Sequence, residues 1–95
     1  MNVQEYLLTK LAEECVEVAQ RASKANIFGP YETQPGHCLN NVDRIADELE
    51  DVRVILDLLQ ERCGFYIRTH DTNFAERKAK VLEYMEYSRQ CGRLT

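Results

Sequence analysis

Residues 40–64, NNVDRIADELEDVRVILDLLQERCG, decide the fold. Val42, Ile45, Leu49, Val52, Ile55, Leu56 and Leu59 recur mostly at steps of three and four, the period of one α-helical stripe. Asn40 or Asn41 supplies an N-cap, and Gly64 stands where a helix places its C′ glycine. Val54 and Leu58 add apolar character on another side, so this helix needs neighbours on both flanks.

Upstream, a first helix runs from about Val3 to Ala25, with Leu7, Leu8, Leu11, Cys15, Val18, Ala19 and Ala22 as its apolar set. Asn26 to Leu39 is a loop that holds both prolines and two of the four glycines. Downstream, a connection with Thr69, His70 and Asp71 leads to a third helix, about Asn73 to Gln90. There Asn73 and Glu76 have capping-box spacing. The expected fold is all-α: an antiparallel bundle of three main helices, completed by homo-oligomerisation into a dimer or tetramer. Ninety-five residues make one domain, 1–95, near the lower size limit for independent folding.

Composition narrows the function. A net charge of −4 argues against stable nucleic-acid or anionic-membrane binding, which needs a basic surface. No apolar run approaches the roughly 20 residues that span a bilayer, and no signal peptide opens the chain. Cys15, Cys38, Cys63 and Cys91 form no Cys-x-x-Cys pair, which suits reduced thiols in a cytoplasm. His37 and Cys38 are adjacent, a poor spacing for zinc.

The chemistry lies in the acids. Glu14 and Glu17 share a face of the first helix, and Glu48 and Asp51 share a face of the second. Two such pairs on antiparallel neighbours can bring four carboxylates to one point, a donor set that suits Mg²⁺. On the first helix, Lys10 and Arg21 stand four residues from Glu14 and Glu17, so ordinary surface ion pairs would explain that half alone. The second helix is harder to dismiss. At about 100° per residue, Glu48 falls among Val52, Ile55 and Leu59, and Asp51 falls between Ile55 and Leu58. Asp43, Asp47, Glu50 and Asp57 take the solvent side, and Arg53 points away. An unpaired carboxylate against a core costs several kcal/mol, so a cation is required. That cation is a metal or, alternatively, Arg44 bent along the helix.

Glu-Glu-x-x-Glu at Glu13, Glu14 and Glu17, followed about thirty residues later by Glu-x-x-Asp at Glu48 and Asp51, resembles the MazG-like all-α nucleoside triphosphate pyrophosphohydrolases. The resemblance covers about residues 5–60. It implies hydrolysis of an NTP or dNTP to the monophosphate and pyrophosphate, with Mg²⁺ (or Mn²⁺ in its place) on Glu14, Glu17, Glu48 and Asp51. Glu13 and Glu14 would carry the catalytic role, Glu13 as a supporting acid or water-orienting group. Basic residues late in the chain usually complete such sites. On the third helix Arg77, Lys80, Tyr84 and Tyr87 fall within about 80° of one another, while Lys78 lies between Phe74, Val81 and Met85. Arg77, Lys78, Lys80 and Tyr84 are therefore the expected substrate contacts, with the Phe28 and Tyr31 loop as a cover or a plain connection. Two other readings stand beside this one: a phosphoribosyl-ATP pyrophosphohydrolase of histidine synthesis, and a non-enzymatic helical interaction protein.

Overall fold

The computed structural model describes residues 1–68 and 71–95, apart from the side chains of Asp71 and Thr72. It is all-α, with α1 at Val3–Phe28, α2 at Asn41–Cys63 and α3 at Asp71–Gln90. The three-helix arrangement is the one the periodicity dictates, with its ends shifted by local chemistry. Asn2 caps α1 by accepting the Glu5 N–H at 2.8 Å. The helix runs one turn beyond Ala25 because nothing in Asn26–Phe28 stops it; the stop is Gly29, at φ 102°, followed by Pro30. Asn40 caps α2 in a full capping box: Asp43 N–H donates to Asn40 Oδ1, and Asn40 N–H donates back to Asp43 Oδ2. Gly64, left-handed at φ 70°, closes α2 with its N–H on Gln60 O.

At α3 the reading of the cap needs correcting. The helix starts at Asp71, so Asn73 lies inside the first turn and cannot be its N-cap. Thr69 and His70, which the sequence places in the connection, lie outside the described residues.

α1 and α2 pack as an antiparallel hairpin. Its seam takes Leu7, Leu11, Glu14, Val18, Arg21 and Ala25 from α1, against Asn41, Ile45, Glu48, Val52, Ile55 and Leu59 from α2. Every one of these is buried or half-buried. Leu7 and Leu59 are the fully buried apolar side chains among the described residues. One position further along each helix stand Leu8, Ala12, Cys15, Ala19 and Ala22, with Val42, Ala46 and Leu49, all exposed. Antiparallel helices turn in opposite senses about a shared seam, so both sets point to the same side and make one apolar face. The opposite side carries Glu13, Glu17, Lys24, Arg44 and Asp51. Val54 and Leu58 also lie there, where Ile67 returns along α2 to line a groove of about 430 Å³.

Among the described residues, α3 makes no packing contact with α1 or α2. Its apolar residues Phe74, Val81, Leu82 and Met85 are open to solvent, Phe74 by 69%. The radius of gyration is 16.9 Å, against about 12 Å for a closed domain of this length. The accessible surface is 7758 Å² for 11.1 kDa, where a folded monomer of that mass exposes about 5,700 Å². No described helix is long and apolar enough to cross a membrane.

Candidate functional site

The hairpin seam is apolar except at its middle. There Glu14, from the face that α1 turns toward α2, meets Glu48 from α2, and Glu17 joins them one turn along α1. One carboxylate oxygen from each lies within 4.8 Å of the other two. Glu48 is the most enclosed by its neighbours, with 15% of its side chain exposed. Oε2 of Glu14 and Oε2 of Glu48 are both buried, and neither has a hydrogen-bond partner.

Three like charges at this spacing are strained. At an effective dielectric near 20, each pair about 5 Å apart repels by roughly 3 kcal/mol. Glu48 responds most, by binding its proton more tightly. The hydrogen bond between Glu48 and Glu17, then burial, then the charges of Glu17, Asp51 and Glu14 push the Glu48 carboxyl from 4.5 up to about 7. Burial, followed by the charges of Glu17 and Asp51, raises Glu14 above the usual carboxylate range. The cluster therefore either takes up a proton or takes up a cation.

Among the described residues, the side chain that pairs with Glu48 is not the one the helical wheel suggests. Arg21 Nε stands 3.8 Å from Glu48 Oε1. Arg44 has no ion pair with Glu48 or Asp51 among the described residues. At 3.8 Å, Arg21 makes an ion pair beyond hydrogen-bond length, and it leaves both buried oxygens unpartnered. The other pairs are peripheral. Lys10 binds Glu13 at 2.9 Å rather than Glu14, and Arg53 binds Glu50 at 2.9 Å on the exposed side.

The expected site residues thus divide into three groups. Glu14, Glu17 and Glu48 converge. Asp51 is exposed rather than buried between Ile55 and Leu58; its charge reaches Glu14 and Glu48, but its oxygens stand outside the close set. Glu13 lies outside the close set and is paired with Lys10. Arg77, Lys78, Lys80 and Tyr84 are exposed on α3, which among the described residues does not touch the hairpin. His37 and Cys38 are exposed in the loop, and the four thiols are free.

That loop is well tied. Asn41, buried at the start of α2, donates from Nδ2 to Gly29 O at 2.8 Å and to Glu32 Oε2 at 2.9 Å. Val42 N–H donates to Pro30 O, and Thr33 pairs with Asn40 in an isolated bridge. Sequence reading missed Asn41's part, because a polar residue one place after a cap looks like a second cap.

No family model, characterised protein or solved structure matches this chain. The resemblance drawn in the sequence rests on the two acidic motifs alone.

Proposed function

We propose that this protein is a Mg²⁺-dependent nucleoside triphosphate pyrophosphohydrolase. The observation that carries the proposal is the pair of buried, unpartnered oxygens, Glu14 Oε2 and Glu48 Oε2, which belong to the carboxylates that meet across the hairpin seam with Glu17 beside them. Hydrophobic side chains at those seam positions would stabilise the hairpin; charged ones there need a cation to offset their burial. Hard oxygen donors in this number fit Mg²⁺, or Mn²⁺ in its place, with water completing the shell.

When bound, the metal would screen the triphosphate charge and acidify a water molecule. The chain's residues supply the positions. Glu14 and Glu48 are fixed by the seam, while Glu17 is exposed and open to a ligand arriving from solvent. Asp51, three residues beyond Glu48 and exposed, would add a further carboxylate for the cation once the ion is bound. Glu13 could orient water only after leaving Lys10. With so little covalent work asked of the protein, positioning and charge stabilisation dominate.

Self-association belongs to the same proposal. The excess of roughly 2,000 Å² over a closed monomer matches what a subunit of an obligate assembly buries. The apolar face of Leu8, Ala12, Cys15, Ala19, Ala22, Val42, Ala46 and Leu49 is the surface that calls for a second copy, in a dimer or tetramer. It lies opposite Glu17 and Asp51, so assembly there leaves the acids accessible. The cations of α3 then reach an acidic cluster only across chains. The free thiols suit a reducing cytoplasm.

Assay of the eight common NTPs and dNTPs with Mg²⁺ tests the reaction class. Pyrophosphate and a nucleoside monophosphate are the expected products from at least one of them. Orthophosphate with a nucleoside diphosphate would show that the wrong bond is assigned. Turnover of phosphoribosyl-ATP alone would favour the histidine-pathway reading, and no turnover with no Mg²⁺ binding would leave a helical interaction protein.

A further inference from the structure

The row Glu14, Glu17, Arg21, Lys24 and Phe28 follows one line of α1, at steps of three and four. Its character changes from acid to base to aromatic along that line. Beyond Arg21 the row enters a cavity of about 250 Å³ between the end of α1 and the tied loop. Lys24, Phe28, Glu32, Gln34 and Asn41 contribute to its walls. Arg21 belongs to both places: it lines the cavity and pairs with Glu48 of the acidic cluster.

We propose that this cavity holds the nucleoside end of the substrate, and that it selects a base bearing an exocyclic amino group. The inference rests on the pyrophosphohydrolase reading, whose phosphates would lie at the acids. From Glu17 to Phe28 the helix rises about 16 Å, so phosphates at one end and a base at the other lie along a single helix. Arg21 and Lys24 fall between, where the inner phosphates of such a ligand pass. Phe28 offers an aromatic surface at the far end and is 61% exposed, a poor position for a packing residue and a suitable one for stacking a base.

The choice of base follows from Glu32. One of its oxygens is occupied by Asn41 Nδ2, which fixes the carboxylate at the cavity wall. The remaining oxygen is an acceptor only. An exocyclic amino group donates to a carboxylate, as cytosine N4 does. Uracil and thymine put carbonyl oxygens on either side of their one N–H, and those repel it. The buried Asn41 keeps the wall in place before any ligand arrives, so little is lost in ordering it.

Three proteins test this: wild type, Phe28→Ala and Glu32→Gln. Phe28 and Glu32 lie outside the seam, so both variants should keep the wild-type helical content. Pyrophosphate release is measured with dCTP and dUTP, and binding of dCMP and dUMP is followed in EDTA by amide chemical shifts. The expectation is that Phe28→Ala raises KM for dCTP at least about fivefold with kcat within twofold. Wild type should prefer dCTP over dUTP, and Glu32→Gln should reduce that preference at least about tenfold. In EDTA, dCMP should shift amides within residues 21–35. An active wild type whose KM and base preference survive both substitutions overturns the inference and leaves the reaction class standing. A wild type that releases no pyrophosphate from any nucleotide, yet shows dCMP shifts in residues 21–35, overturns the reaction class and keeps the cavity. Absence of those shifts overturns the cavity whatever the turnover.

Discussion

The α1–α2 hairpin and α3 are built from similar raw material and end in opposite conditions. Both are long, regular helices with apolar residues in helical rhythm. In the hairpin, seam positions recur on both helices, a short tied loop holds the register, and Leu59 is 1% exposed. In α3 the same kinds of residue, Phe74, Val81, Leu82 and Met85, stand in solvent, because none of the described residues of α1 or α2 packs against them. Periodicity therefore states that a helix has a side to bury. It does not state which chain supplies the cover. Most helical stability in proteins comes from packing an apolar face, so under the proposed self-association α3 would gain its cover from a second copy.

The largest test of that contrast is a matched pair of truncations. Leu59→Ala should cost about 2–5 kcal/mol in chemical denaturation, as a fully buried leucine does. Leu82→Ala should cost under about 0.5 kcal/mol at dilutions where the chain is monomeric, and more as protein concentration rises. Equal costs at every concentration would mean that α3 packs on its own hairpin. In the same spirit, light scattering at micromolar concentration should give a particle at least twice 11.1 kDa, and Leu49→Lys should shift it toward the monomer. A monodisperse 11.1 kDa species would remove the proposed apolar interface.

The next effect separates the seam's middle from the rest by pH. Glu48 binds its proton more tightly in the folded chain, near 7, than at its ordinary 4.5. Between those values the native state holds more protons than the unfolded one, so stability falls as pH rises through the window. In EDTA the melting temperature should drop from pH 4.5 to 7, by a free energy on the order of 1–3 kcal/mol. Saturating Mg²⁺ should flatten that slope by replacing the proton. Glu48→Gln should flatten it without metal. A rise in stability over the same window would refute the strained cluster.

The smallest effects lie at the ends and surface. Asn40→Ala should cost about 1 kcal/mol through the lost capping box, and Arg53→Ala under about 0.5 kcal/mol, since its pair with Glu50 is exposed. An Arg53 effect as large as that of Asn40 would mean that this side of α2 is covered.

Much of the hairpin was legible in the sequence, because caps, glycines and the position of Glu48 on its wheel are local facts. The convergence of Glu14, Glu17 and Glu48 followed from spacing plus antiparallel pairing. Other features depend on contacts that spacing does not encode. Arg21 reaches Glu48 across the seam, a partner invisible on either wheel alone. Asp51 is exposed because the seam covers a narrower arc of α2 than its apolar residues span. The start of α3 at Asp71 was obscured by Asn73, which has cap chemistry but stands within the first turn. Val54 and Leu58 give α2 its second apolar side; Ile67 joins them in lining a groove, and Val54 stays exposed.

The central claim is that Glu48 is buried to hold a metal, and thermal melts of wild type and Glu48→Gln, in EDTA and in Mg²⁺ at a pH above 7, address it directly. With the cluster empty of cation, the neutral isostere relieves repulsion, so Glu48→Gln should melt at or above the wild type in EDTA. Mg²⁺ should raise the wild-type melting temperature by binding the native state, with a much smaller effect on the variant, which should also release no pyrophosphate. If Glu48 instead serves to balance Arg21, its neutralisation leaves that arginine unpaired in the seam. A loss of about 3–5 kcal/mol in EDTA, unchanged by Mg²⁺, would contradict the metal-site account.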